Sequence, residues 1–222
     1  MSDHMNETKN IMKKKKILPV GHFRGLGAWT FAFFIYLYVP IVVLVFYSFN
    51  SNRMVMNWEG FGISWYLKAF SNNNIQQAVL NSLIVATVAT ACATAIATIG
   101  ALVLARGGSF KGKTLSLGLI TLPLMVPEIV TAVAVLIFFS SIGMNLGLGN
   151  VIIAHITFCI PFAFMPIRAR LEGMDTTLEQ AARDLYATEW ETFRFVTVPL
   201  LMPGIVAGAM LAFVISLDDF II

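Results

Sequence analysis

Long apolar runs separated by short polar blocks dominate the chain. Five such runs lie near residues 27–49, 78–105, 114–141, 150–167 and 199–222. A helix needs about 20 apolar residues to cross the hydrocarbon core of a bilayer, and these runs have about that length. Strands of a membrane barrel would alternate apolar and polar positions instead. The pattern therefore predicts an all-α, polytopic transmembrane helix bundle with five spans.

Composition agrees with this pattern. The 222 residues are 58% apolar and only 12% charged, and a soluble domain of this size could not bury so much apolar surface. Both cysteines, Cys92 and Cys159, lie inside apolar runs. Cysteine in such a place behaves as a small buried residue more often than as a disulfide partner or metal ligand, so no metal site is predicted.

The basic residues indicate an orientation. Lysine and arginine are concentrated before the first run, between 106 and 113, and between 168 and 194, while the first connection holds only Arg53 and Lys68. By the positive-inside rule the N-terminus and the second and fourth connections are expected in the cytoplasm. Residues 1–24 then form a basic cytoplasmic tail and residues 25–222 the transmembrane domain. The net charge of +3 is thus a topology signal, and no nucleic-acid partner is expected.

Small residues recur every four positions in two of the runs. They are Ala89, Ala93, Ala97 and Ala101 in the second run, and Gly204, Gly208, Ala212 and Ser216 in the fifth. This spacing stacks small side chains on one helix face, where another backbone can approach closely. The second and fifth helices are therefore expected inside the bundle.

Three carboxylates lie within or at the end of apolar runs. Glu128 lies at the centre of the third run beside Pro127, and Asp218 and Asp219 lie toward the outer end of the fifth. An intramembrane carboxylate is costly and usually faces a wet pathway. With no lysine or arginine deep in any run, these residues suggest a path for a cationic substrate. Two alternatives stay open: a structural role for Glu128, and an interfacial position for the two aspartates.

One nucleotide-binding pattern is rejected. Residues 107–114 match G-x-x-x-x-G-K-[ST], but a phosphate-binding loop follows a strand and opens a helix in a soluble domain. Here the match falls in a tight turn between two predicted membrane helices. Its basic residues are better explained as anchors of the topology.

The cytoplasmic connection 168–198 is too long for a simple turn. Residues 178–185 are good helix formers, with Asp175, Thr176 and Thr177 as candidate N-caps. A short exposed helix of this kind can dock in a groove of a partner protein. A solvated amphipathic loop is the alternative.

The same segment resembles the EAA loop of ABC importer permeases, whose pattern is Glu-Ala-Ala, three residues, Gly and later Leu-Pro. Here the loop reads Gln180-Ala181-Ala182, then Arg183-Asp184-Leu185-Tyr186-Ala187, and later Val198-Pro199. Further motifs resemble the spermidine/putrescine importer permeases of the PotC type. These motifs are Tyr38-Val39-Pro40-Ile41, Trp58-Glu59-Gly60-Phe61 and Leu217-Asp218-Asp219.

The resemblance implies a MetI-like permease fold with six helices, and the chain is therefore expected to be truncated before the last one. It also implies partners: a second permease subunit, an ATPase dimer that uses ATP and Mg, and a periplasmic or extracellular polyamine-binding protein. The chain would bind no cofactor and catalyse nothing itself. It would lie in the bacterial inner membrane as a multi-pass subunit.

Within this family the EAA loop couples the ATPases to the membrane gate. Carried over, that role falls on Gln180, Ala181, Ala182, Arg183, Asp184, Tyr186 and Ala187. Gln180 replaces the Glu of the pattern and Tyr186 replaces its Gly. Because tyrosine adopts left-handed backbone conformations poorly, either a different turn or impaired coupling is expected. The alternative function is a secondary cation transporter or channel that uses Glu128.

Overall fold

The structure is a computed structural model that describes residues 25–54 and 57–219. The expected basic tail 1–24 lies outside the described residues. The chain divides into two compact units, one up to Ser71 and one from Asn72 onward. In the described residues of both units nearly all regular structure is helical, in agreement with the predicted all-α class.

The first unit contains helix α1, Leu26–Ser48, and the short helix α2, Ser64–Ser71. Helix α1 buries none of its residues, as expected for a helix surrounded by lipid. The connection between the helices is organised by Asn50, which is only 2% exposed. Its side chain accepts from the amides of Asn52 and Glu59 and donates to the carbonyl of Asn57 at 2.7 Å. The connection leads into α2.

The second unit begins with the longest helix, α3. Its elements are α3 Asn73–Arg106, α4 Lys113–Thr121, a 3-10 turn Leu122–Leu124, α5 Glu128–Ser141, α6 Leu148–Glu172, α7 Thr177–Asp184, α8 Glu189–Thr192, a π-helical turn Phe193–Thr197 and α9 Val198–Asp218.

Helices α3, α6 and α9 pack together and form the core of the second unit. The four alanines of α3 and the four small residues of α9 that were predicted to pack are all buried. A methyl group on Gly208 would lie 2.6 Å from the carbonyl oxygen of Ala163, and one on Gly204 would lie 2.6 Å from Cβ of Arg170. The small residues thus allow α9 to approach α6 closely, as predicted.

The third run does not form one continuous helix but two helices with a 3-10 turn between them. Helices α4 and α5 are bent by 105° at the intervening break. Pro123 and Pro127 lack amide donors, and Pro127 has an extended ψ of 132°, so the helical hydrogen-bond ladder stops between them. Glu128 consequently begins α5 instead of lying in mid-helix.

Four helical segments of the described part are long and apolar enough to cross a membrane, and the bent α4–α5 pair brings the number to five. This number agrees with the five predicted spans. The bent pair corresponds to a broken span or a re-entrant loop, and irregular backbone at membrane depth is tolerated where protein or a wet cavity satisfies it.

Candidate functional site

Helix α7 is an exposed helix that buries none of its residues. Its N-cap residue is Thr176, but the capping side chain is that of Asp175, whose Oδ1 accepts from the Thr177 amide at 2.9 Å. This hydrogen bond holds the pKa of Asp175 below its usual value. The helix predicted at 178–185 is confirmed, and one of the three candidate caps makes the bond.

The C-terminus of α7 is a Schellman motif. The Tyr186 amide donates to the carbonyl of Arg183 at 2.9 Å, and the Ala187 amide donates to that of Ala182 at 3.1 Å. The motif needs a left-handed residue after the helix, usually glycine, and Tyr186 has φ +61°. The turn is therefore kept, and the alternative of a different turn at Tyr186 is wrong. Tyr186 is the one non-glycine residue with positive φ in the described part of the chain.

Helix α8 follows directly and is held by a capping box. The Glu191 amide donates to the Thr188 hydroxyl, and the Glu191 carboxylate accepts from the Thr188 amide at 2.8 Å. These bonds hold the pKa of Glu191 below its usual value. An ion pair of 3.0 Å between Arg183 and Glu189 also joins α7 to α8. The turn between the two helices is thus defined at both ends.

The predicted coupling residues lie mainly on the outer side of this segment. Ala182 and Ala187 are half-buried, and the remaining five are exposed: Gln180, Ala181, Arg183, Asp184 and Tyr186. Tyr186 is 96% exposed and its neighbour Leu185 is 81% exposed. A surface on which small alanine side chains lie beside exposed apolar side chains is suited to contact with another protein.

The inner side of α7 is formed by Glu179, which the sequence analysis did not select. Its Oε1 lies 3.3 Å from Nη2 of Arg106 and accepts from the Thr197 hydroxyl at 3.0 Å. The sequence contains one signal for this residue. The family pattern has a glutamate at position 180, and this chain has its glutamate at 179 instead. Both partners are distant along the chain, so the sequence alone did not reveal the contact.

The predicted path carboxylates are brought together. Glu128 lies close enough to both Asp219 and Asp218 for their charges to interact. Asp218 is the last residue of α9 and Asp219 is its C-cap. Two carboxyl groups in contact repel when both are ionised, and a helix C-terminus disfavours negative charge. A bound cation would relieve both effects.

Two further polar side chains in the helices, those of His155 and Ser216, are buried. His155, only 4% exposed, makes a 2.9 Å hydrogen bond through Nδ1 to the Ser216 hydroxyl, as expected for a packed polar residue. Both cysteines are free. Within the described ranges, no group of three or more His, Cys, Asp or Glu side chains could hold a metal ion. The pattern at 107–114 spans a turn and the first residues of α4.

Comparison with known proteins shows the class to which this chain belongs. Residues 96–222 match the family model described as the binding-protein-dependent transport system inner membrane component. The chain therefore belongs to this family and is a multi-pass membrane permease component. The MetI-like fold inferred from the EAA loop is confirmed.

The more closely related proteins define a narrower group. Over 196 residues the chain is 38% identical to the spermidine/putrescine transport system permease protein PotC of Escherichia coli K12, covering 88% of this chain and 74% of PotC. It is 37% identical over 195 residues to the putrescine permease PotI of the same strain, covering 85% and 69%. A PotC homolog of Mycoplasma genitalium is 27% identical over 217 residues, covering 90% and 76%.

Proposed function

We propose that this chain is one of the two permease subunits of an ATP-driven importer for cationic polyamines such as spermidine and putrescine. The proximity of Glu128 to Asp219 and Asp218 carries the substrate proposal, because neighbouring carboxylates favour a cation. The names of the related permeases support the same substrate class. The cluster would repel anionic solutes such as phosphate or sulfate.

Helix α7 is the proposed docking element for a separate cytoplasmic ATPase. It is exposed, and hydrogen bonds cap it at both ends. A bound ATPase could therefore move it as a rigid helix. The positive-inside rule supports its cytoplasmic location. In this proposal the chain supplies the path and the coupling, whereas the ATPase dimer supplies ATP hydrolysis. A second permease completes the path, and an external binding protein delivers the substrate.

The test is ATP-dependent uptake of labelled putrescine and spermidine by the reconstituted importer containing this chain. Ala181 is exposed, so its replacement leaves the chain's own packing intact. Ala181→Arg should lower uptake roughly tenfold, since overpacking a close contact costs about 1–3 kcal/mol. ATP hydrolysis should continue or fall less than uptake.

Ala181→Ser is the matched control, because its small side chain still fits a narrow groove. Unchanged uptake by Ala181→Arg would refute the docking role of α7. Uptake that continues without ATP or an ATPase would favour the secondary transporter or channel. Competition by a dicarboxylate as strong as that by putrescine would refute the cationic substrate.

A further inference from the structure

Glu179 lies on the inner side of α7 while its neighbour Gln180 is exposed. The side chain of Glu179 is 16% exposed. Successive residues of an α-helix point about 100° apart. Moving the glutamate by one position along the sequence therefore moves its charge to a different side of the helix. The family pattern has its glutamate at position 180. In this chain a neutral glutamine stands there, and the carboxylate faces the rest of its own subunit.

One oxygen of Glu179 joins three elements. Oε1 lies 3.3 Å from the guanidinium of Arg106, the last residue of α3, and 3.0 Å from the hydroxyl of Thr197, the last residue of the π-helical turn. Thr197 is buried and directly precedes α9. Since α3 and α9 also pack against α6, this carboxylate connects α7 to the core of the second unit.

Apolar packing contributes little to holding α7 against the rest of the second unit. None of its residues is buried, and its other ion pair, between Arg183 and Glu189, leads to the exposed helix α8. The π-helical turn beside Thr197 is a rare geometry that often marks a functional position in a helix. Glu179 is thus the side chain that links α7 to the end of α3 and to the turn that precedes α9.

We propose that Glu179 is a positioning residue that transmits the movement of α7 to α3 and α9 when the ATPase acts. The inference rests on the proposed function, because it requires an ATPase bound at α7. Partly exposed ion pairs contribute little to folding stability. Loss of this contact should therefore affect coupling more than assembly.

The experiment measures substrate molecules transported per ATP hydrolysed by the complete reconstituted importer. Glu179→Ala should lower this ratio roughly tenfold, within the usual range of coupling between sites. Glu179→Gln keeps the shape but removes the charge and should give an intermediate loss. Thr197→Val removes the hydroxyl donor at nearly constant volume and should act in the same direction, whereas Thr197→Ser should restore the ratio.

Glu172→Gln is the matched control, because it breaks an exposed ion pair, that with Arg168 on the same helix, without removing a partner of any α7 residue. It should leave the ratio unchanged. Copurification of the ATPase and the melting temperature of the complex are measured for every variant. Both should stay near the values of the unsubstituted importer.

Two results would overturn the proposal. One is a transport ratio for Glu179→Ala and Glu179→Gln equal to that of the unsubstituted importer. The other is a parallel loss of melting temperature, ATPase binding and transport, which would indicate a structural role. Failure of the proposed function would be seen separately, as uptake by the unsubstituted importer that does not depend on ATP, and it would overturn this inference as well.

Discussion

Tyr186 holds a left-handed backbone conformation that an ordinary side chain adopts only at a cost in free energy. The strain at an L-residue with positive φ is about 1–2 kcal/mol. The Schellman motif imposes this conformation, because its two amides satisfy the last carbonyls of α7. The hydrogen bonds that end the helix at this point therefore offset the strain at Tyr186.

We predict that Tyr186→Gly stabilises the chain. Glycine relieves the strain of about 1–2 kcal/mol but loses about 0.5–1 kcal/mol through the entropy of the unfolded chain, so the expected net gain is at most about 1.5 kcal/mol. The measurement is the melting temperature in detergent. Tyr186→Ala is the control, since it removes the ring and keeps the strain.

A fall in melting temperature for Tyr186→Gly would contradict this explanation. The pair of variants also separates backbone from side chain in the complex. If the exposed ring contacts the ATPase, both variants should copurify less ATPase, although only the glycine variant is stabilised.

At the scale of single elements, the main feature of helix α9 is its close packing against α6. Gly208 lies against the backbone of Ala163, and a Cβ there would lie 2.6 Å from the carbonyl oxygen. Backbone atoms cannot move aside as the end of a flexible side chain can. This contact therefore fixes the distance between the two helices.

We predict that Gly208→Ala destabilises the second unit by about 1–3 kcal/mol, the usual cost of overpacking. The measurement is the melting temperature, with a lower yield of monodisperse protein as a second indicator. Gly118→Ala on α4 is the matched control, because nothing lies within 4 Å of its added methyl group. Equal melting temperatures for the two variants would show that α9 can shift without cost.

The elements also show which features the sequence could predict. Stripes of small residues in α3 and α9 identify their buried faces, because the periodicity of a helix converts sequence spacing directly into a face. Pro123 and Pro127 indicate a break in the helix, because neither has an amide donor. They do not determine the angle of the bend between α4 and α5. The contacts of Glu179 with Arg106 and Thr197 depend on tertiary packing, which no local pattern encodes.

At the scale of the whole molecule, the carboxylate cluster joins two elements that are far apart in sequence. Glu128 begins α5 after the break, where the helix N-terminus favours negative charge. Asp218 and Asp219 end α9, where it is disfavoured. Because of the break between α4 and α5, Glu128 lies at a helix N-terminus, close enough to Asp219 and Asp218 for their charges to interact.

We predict that Glu128→Gln weakens polyamine uptake mainly through KM. The variant keeps the shape of the side chain and removes one charge from the cluster. A partly exposed ion pair contributes at most about 1 kcal/mol, which corresponds to a rise in KM of about fivefold. The measurement is the concentration dependence of labelled putrescine uptake by the assembled importer. Assembly, followed by copurification of the ATPase, should not change.

Glu172→Gln provides the comparison, because Glu172 pairs with Arg168 at the end of α6 and lies outside the cluster. Its KM should equal that of the unsubstituted importer. Equal losses of assembly and uptake in Glu128→Gln would indicate a structural carboxylate. An unchanged KM would exclude Glu128 from the path, because a triamine or diamine passing the cluster must exchange part of its hydration for these charges.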